Sequence, residues 1–443
     1  MSGLAEYFLS RGSKVSGSDL TESPVTDKMK QSGIKIYTGH FEKNINPDLD
    51  LVIYTSAVKD DNPELVEAKK LGIKAIKRAK MLGAVVNDKF LIAVAGTHGK
   101  TTTTAMIAKL LTDAGLDPLV FVGGNVDLFG GSAARIGKGN YAVVEADEYD
   151  RSFLTLEPDI AVITNIDEDH LDIYKDLNDI KNTFKSFISG SKHNSKVVYC
   201  GDDINTLDVV QSLAVENISY GFSENCKLRI TDYNTGIGKI NYSLLNSHSK
   251  YENITINTPG KHNVLNSAAG FAVSKLLNID FDVFRQSIGG FKTVQRRLEL
   301  KYDGDNIKVY DDYAHHPREI ESSLNALKES YPGKRIITVF QPHLYTRTRD
   351  FYKEFAETLS IADEIFLMDI YPARELPIDG VTSLLIKDCL NKFNRKVFYC
   401  REKDELIEKL KNALNDNVII VFQGAGDITF VCDEFINSVK TAR

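Results

Sequence analysis

Short runs of apolar, mostly β-branched residues recur along the chain, separated by longer stretches in which apolar positions return with helical spacing. Leu51-Val52-Ile53-Tyr54, Leu91-Ile92-Ala93-Val94, Ala142-Val143-Val144, Ile160-Ala161-Val162-Ile163, Ile336-Ile337-Thr338-Val339-Phe340 and Val418-Ile419-Ile420-Val421-Phe422 are continuously apolar rather than alternating. Strands of that kind are buried on both faces, and their alternation with helices makes them parallel. The pattern therefore predicts an α/β fold. Helices are predicted from Gly3 to Gly12, Thr102 to Leu111 and Asn263 to Leu277, with a further helical stretch at Arg78-Ala79-Lys80-Met81-Leu82. Between Cys226 and Thr258, polar and β-branched residues alternate among several Asn and Gly, which predicts hairpins added to one sheet edge.

The chain has 443 residues, too many for one ordinary core, and roughly 150 residues per domain predicts two or three. The expected division is threefold: residues 1–85, 86–294 and 295–443, with the last boundary in the hinge-like Gly289-Gly290-Phe291-Lys292-Thr293-Val294. A composition of 42% hydrophobic and 26% charged residues is that of a folded globular protein. The formal charge of -7 excludes a general affinity for nucleic acid or anionic membrane, so any phosphate site is local. No run approaches the ~20 apolar residues of a membrane helix, and Met1-Ser2-Gly3-Leu4 lacks the basic and apolar regions of a leader, so a cytoplasmic location is expected. The five cysteines are widely spread without a C-x-x-C pair, which predicts reduced core thiols.

Phe90 to Ala95 reads as a strand, followed by Gly96-Thr97-His98-Gly99-Lys100-Thr101-Thr102 and a helix. Strand, glycine loop and helix present backbone N–H groups and a helix N-terminus to phosphate, Lys100 adds a point charge, and Thr101 offers a hydroxyl to Mg²⁺. Val94 stands where the common longer loop has its first glycine, so this is a shorter variant. Glu145-Ala146-Asp147-Glu148 follows the strand at 141–144, and Glu145 at that strand end is the expected Mg²⁺ ligand. The next strand ends in Thr164-Asn165-Ile166-Asp167-Glu168-Asp169-His170 and brings His170 to the same edge as a ligand for a second cation. To this point a kinase, an ATPase and a ligase fit equally well.

The last third adds Arg296-Arg297-Leu298-Glu299, D-D-Y-A-H-H-P from Asp311 to Pro317, and F-Q-P-H-L-Y-T-R-T-R-D from Phe340 to Asp350. With G-T-H-G-K-T-T-T-T, E-A-D-E, N-I-D-E-D-H-L-D, G-K-H-N-V-L-N and the F-Q-G-A-G-D ending at Asp427, the chain resembles the Mur ligase family nearly end to end, and within it the UDP-N-acetylmuramate:L-alanine ligases. The resemblance implies three domains: a Rossmann-like domain for the UDP part, a central ATPase domain, and a Rossmann-like C-terminal domain for the amino acid, with ATP between the last two. It implies ATP and Mg²⁺ as cofactors, UDP-N-acetylmuramate and L-alanine as substrates, and a role in peptidoglycan synthesis. Lys100 would contact the terminal phosphates, Thr101 and Glu145 one Mg²⁺, and Glu145 and His170 the other. Asn125 would face the phosphates and Asn263 and Asn266 the adenine, while Arg297 and Asp312 reach ATP. Tyr313, His315, His343 and Arg347 would surround the amino acid and the new bond.

Members of the family carry an apolar strand and a glycine loop ahead of M-S-G-L-A, whereas this chain begins at that methionine. Either the start is assigned too late by ~20 residues, by analogy with a βαβ opening, or the chain lacks its first strand, and the former is the expectation. Ser18 and Asp19, at the end of the next strand, and Thr55 and Ser56 match the family's UDP-binding edge. Leu344 is a smaller departure, where many relatives have a basic residue. Two alternatives remain open: the recycling ligase that attaches an intact tripeptide to the same sugar acid, which F-Q-P-H disfavours, and a nucleotide-binding protein inactive in ligation.

Overall fold

The apolar runs fold as the strands their pattern predicts. In the computed structural model, which describes residues 1–170, 173–304, 306–373, 375–414 and 417–441, β1 (Ser16–Asp19) pairs in parallel with β2 (Lys35–Thr38) and β3 (Leu51–Tyr54) with β4 (Lys74–Lys77). Leu171 and Asp172 of the N-I-D-E-D-H-L-D motif lie outside the described residues. A larger sheet follows from β5 (Phe90–Ala95), β6 (Leu119–Val126), β7 (Ser132–Arg135), β8 (Tyr141–Glu145), β9 (Ile160–Ile163), β10 (Lys196–Cys200) and β11 (Glu216–Gly221). The predicted edge hairpins are β12 (Leu228–Gly236), β13 (Lys239–Leu245) and β14 (Lys250–Ile256). The strand order is β14-β13-β12-β11-β10-β9-β5-β8-β6-β7.

The chain forms two compact units, one from Met1–Thr231, Leu244–Glu252 and Leu265–Ile288, the other from Asp232–Ser243, Asn253–Val264 and Gly289–Arg443. The first segment shares a core with the larger sheet, because Leu4, Leu82 and Val86 pack with Leu91, Phe121, Val144 and Phe184. Gly3 lets the helix Ser2–Ser10 approach β6 and β7 closely: a Cβ there would lie 2.9 Å from the Ala134 Cβ. Ser132 Oγ also donates to Glu6 at 2.6 Å.

In the second unit, β15 (Glu299–Asp303), β16 (Ile307–Asp312), β17 (Arg335–Phe340), β18 (Glu364–Leu367), β19 (Lys396–Tyr399) and β20 (Val418–Gln423) form a sheet in the order β15-β16-β20-β17-β18-β19. Only the β15–β16 pair is antiparallel among the pairings of this sheet. Alternate residues of β20 enter opposite cores, Ile419 and Val421 on one face and Ile420 and Phe422 on the other. That two-sided burial is why the run reads as continuously apolar. Cys200, Cys226, Cys389, Cys400 and Cys432 are all free thiols, and four of them are buried, with Cys389 half-buried. No helix among the described residues is long and apolar enough to cross a membrane.

Two stability predictions follow from β20 and its neighbour. Ile420 is fully buried between β16 and β17, so Ile420→Ala is expected to lower unfolding free energy by about 3 kcal/mol in urea titrations. Asp312 ends β16 in a buried position where burial pushes its carboxyl up to about 6, against the partial relief given by the Ser323 hydroxyl and Arg297. The folded state therefore binds more protons than the unfolded one between about pH 4 and pH 6, and stability is lost as pH rises through that window. Measured against Asp312→Asn, which cannot ionise, the wild type is expected to lose up to about 3 kcal/mol across it.

Candidate functional site

β5 lies between β8 and β9, and the pairing register decides what reaches its end. Val94 is opposite Glu145 on one side and Ala95 opposite Ile163 on the other, so the phosphate loop, Glu145 and Thr164 leave the sheet at one edge. Gly96 has φ +138°, and a Cβ would meet Thr164 Oγ1 at 2.0 Å; Gly99 has φ +83° and sits 2.8 Å in the same sense from Asn266 Oδ1. Both positions thus require glycine. The loop is fastened from β9: Thr97 N donates to Asn165 O at 3.0 Å, His98 N to Asn165 Oδ1 at 2.8 Å, and Thr164 Oγ1 to His98 O at 2.6 Å.

The helix Lys100–Asp113 starts on this loop, placing the positive end of its dipole there. Thr101 Oγ1 donates to Glu145 Oε1 at 3.1 Å, and Glu145 Oε2 accepts from Gly123 N at 2.6 Å. A hydroxyl and a carboxylate so placed are the hard oxygen donors that suit Mg²⁺. Lys100 Nζ donates to Gly96 O at 2.7 Å, Thr97 O at 3.1 Å and Glu148 Oε1 at 2.9 Å. Burial alone would depress its pKa, but the carboxylates of Glu148, Asp147 and Glu145 outweigh that and raise it, so the ammonium stays charged. His170, held at φ +55°, points Nε2 to within 3.7 Å of Glu148 Oε1. His170 was expected beside Glu145; the carboxylate facing its Nε2 in the structure is that of Glu148.

The other predicted residues of this unit have defined neighbours. Ser18 Oγ donates to Glu64 Oε2 at 2.7 Å and lies 3.0 Å from His40 Nδ1, while Asp19 is exposed. Thr55 is half-buried after β3, and Ser56 Oγ donates to Asp150 Oδ2 at 2.6 Å. Asn125 is exposed on β6. Asp150 also takes Lys77 Nζ at 3.0 Å. Asp150 and Arg151 both lie in the left-handed region, at φ +52° and +53°, which costs non-glycine residues about 1–2 kcal/mol each.

The second unit gathers most of its predicted residues in one chain of contacts. Arg297 lies between Arg296 and Leu298, which have φ +58° and +49°. The guanidinium carbons of Arg296 and Arg297 are 4.9 and 5.1 Å from the Tyr313 ring centroid. The Tyr313 and His315 rings are 5.3 Å apart, His315 and His343 5.8 Å, and Arg347 Nη1 is 3.5 Å from His343 Nδ1. Asp312 Oδ1 accepts from Leu298 N at 3.1 Å, which fixes the turn carrying Arg297. Asn263 belongs to this unit and donates to Pro259 O at 2.7 Å, whereas Asn266 belongs to the first.

Five contributors were not singled out from the sequence. Glu148 stood inside the quoted E-A-D-E, and Asn165 inside the β9 motif, so only their partners were missing. Glu319 accepts from His315 N at 3.1 Å and lies 3.7 Å from Arg297 Nη1; a glutamate three residues after a helix cap was the available signal. Tyr371 stacks on His343 with centroids 5.8 Å apart and carried no signal. Glu375 accepts from Thr346 N at 3.0 Å and also bonds the Thr346 hydroxyl. It thereby sets a negative charge at the start of the helix Tyr345–Leu359, whose first turn carries the cation Arg347.

Comparison with known proteins matches three successive family models: "Mur ligase family, catalytic domain" over residues 1–90, "Mur ligase middle domain" over 94–274, and "Mur ligase, glutamate ligase domain" over 296–426. The chain is 41% identical to a UDP-N-acetylmuramate--L-alanine ligase of Geobacter sp. (strain M21), over 100% of this chain and 96% of that one. Among solved structures, the UDP-N-acetylmuramate-alanine ligase of Thermotoga maritima superposes with a TM-score of 0.86 at 29% identity, covering 100% of this chain and 97% of that one. A murein peptide ligase of Psychrobacter arcticus shares the fold, with a TM-score of 0.71 at 21% identity over 99% and 96% of the two chains. The chain belongs to the Mur ligase family.

Proposed function

We propose that the chain joins L-alanine to the carboxylate of UDP-N-acetylmuramate, converting ATP to ADP and phosphate, as a cytoplasmic step of peptidoglycan synthesis. The observation that carries this reading is a phosphate loop whose Thr101 meets Glu145 at one sheet edge, in a chain that matches an alanine-adding relative from end to end. The family models over 1–90, 94–274 and 296–426 support assigning residues 1–85 to the UDP part, 86–294 to ATP and 295–443 to the amino acid.

In this reading a carboxylate oxygen of the sugar acid attacks the γ-phosphorus, giving an acyl phosphate and ADP. The uncharged amine of L-alanine then attacks the acyl carbon, and the tetrahedral intermediate expels phosphate. The backbone N–H groups from Gly96 to Thr102 cradle the phosphates, Lys100 draws on their oxygens, and Asn125 faces them. Thr101 and Glu145 would hold Mg²⁺, with His170 joining Glu145 at a second ion; when bound, the cations neutralise phosphate oxygens. Asn263 and Asn266 would lie by the adenine, and Arg297 and Asp312 would complete the ATP contacts. Tyr313, His315, His343 and Arg347 hold the amino acid, and the Arg347 cation stabilises the oxyanion of the tetrahedral intermediate. Ser18, Asp19, Thr55 and Ser56 form the edge that receives the UDP part.

The test is ADP release from ATP and Mg²⁺ in the presence of UDP-N-acetylmuramate, with L-alanine or the tripeptide as acceptor. Release that depends on L-alanine is expected; dependence on the tripeptide would assign the chain to the recycling enzymes, and dependence on neither would overturn ligation. Lys100→Ala is expected to abolish ADP formation with the circular dichroism spectrum unchanged, and near-normal turnover by that variant refutes the role given to Lys100.

A further inference from the structure

Lys100 has three N–H donors to give, and the protein takes all three: Gly96 O at 2.7 Å, Thr97 O at 3.1 Å and the Glu148 carboxylate at 2.9 Å. The two carbonyls belong to the loop itself and hold the side chain folded back over it. Glu148 is different, since it approaches from the turn after β8 and sets a carboxylate against the ammonium. Its two oxygens lie 2.9 and 2.8 Å from Nζ, and the residue is 3% exposed.

The backbone that carries the carboxylate is fixed by its neighbours, and His170 flanks one carboxylate oxygen. The buried Tyr174 hydroxyl donates to the Glu148 carbonyl at 2.5 Å, and His170 Nε2 stands 3.7 Å from Oε1. Two residues on, Asp150 is tied to Ser56 and Lys77, and Arg151 to both oxygens of Asp179 at 2.9 and 2.8 Å and to Thr183 Oγ1 at 2.8 Å. A buried carboxylate is costly unless its charge is matched, and Lys100 stands against it.

We infer that Glu148 is a positioning residue that competes with phosphate oxygens for the third donor of Lys100, and so limits how tightly the lysine holds nucleotide before the phosphoryl group moves. This rests on the reading of Lys100 as the phosphate-loop lysine. An interaction equally strong before and after the transition state binds substrate without speeding the reaction. Glu148 keeps Lys100 from being spent that way: the phosphate must displace a fixed anion to gain the ammonium, and the anion recovers it when product leaves.

The measurement is a split of KM from kcat for ATP, in ADP-forming assays with UDP-N-acetylmuramate and L-alanine, together with the calorimetric Kd for ADP. Glu148→Gln keeps the shape and removes the charge. It is expected to lower KM for ATP and Kd for ADP by about threefold or more while lowering kcat about tenfold, the pattern left when ground-state competition is removed. A residue that only supports the fold would raise KM, or lower kcat at constant KM, and either result overturns the inference. Glu148→Asp keeps the charge one methylene further away and is expected to fall between wild type and Glu148→Gln in both constants. It decides the matter alone if the glutamine variant does not fold, and wild-type constants in Glu148→Asp would then count against the role. Lys100→Ala, measured in parallel, is expected to lose ADP binding; if it retains that binding, the reading of Lys100 fails first and the inference with it.

Discussion

The close approach of Gly96 to the end of β9 is the constraint on which the rest of the site depends. There is no room for a side chain between the Gly96 backbone and Thr164, and the left-handed Gly99 that follows turns the chain into the helix Lys100–Asp113. With those two points fixed, Asn165 can hold both Thr97 and His98, and Thr101 faces Glu145 across the register of β5 and β8. The loop is thus ordered by its neighbours in the sheet before any ligand contact is considered. Such order reduces what nucleotide binding must spend on arranging the donors.

The second unit meets a different constraint by a similar device. Asp312, Phe340 and Gln423 are level with one another at the ends of β16, β17 and β20, so the segments that follow them leave the sheet together. Leu344 after β17, and Arg296 and Leu298 on the approach to β15, whose start lies opposite the end of β16, take left-handed backbone, and strained positions held by surrounding contacts are typical of sites that must present side chains in one direction. Leu344 is the clearest case: its backbone amide is fixed to Tyr371 O at 3.0 Å while Tyr371 N reaches Pro342 O at 2.8 Å, so His343 is held against the Tyr371 ring.

Much of this was legible in the sequence because burial writes itself into composition. β5, β9, β17 and β20 are continuously apolar and were placed to within a residue or so, and the hairpins β12 to β14 showed their alternation. The phosphate loop was legible for the same local reason, since strand, loop and helix are contiguous. Contacts between distant segments were not. Glu148 looks like any acidic residue until the fold brings it to Lys100, 48 positions away, and Tyr371 has no local pattern to distinguish it from a surface aromatic. The threefold organisation expected from length agrees with the three family models over 1–90, 94–274 and 296–426, but that Leu4, Leu82 and Val86 join the larger core was not legible. Hydrophobic periodicity shows which face of a helix is buried but not against which sheet it packs.

The turn at Asp150 and Arg151 bears on whether the first segment can be exchanged as a module. Its backbone conformation is disfavoured for both residues, and it is sustained by Ser56 and Lys77 on one side and by Asp179 and Thr183 on the other. Glu148, two residues upstream, inherits its position from the same turn. A chimaera that took residues 1–85 from a relative would have to bring compatible partners at 56 and 77, or the turn would relax and move the carboxylate beside Lys100. Recombination between such chains is therefore constrained at a short loop, whose sequence must match a segment it does not adjoin.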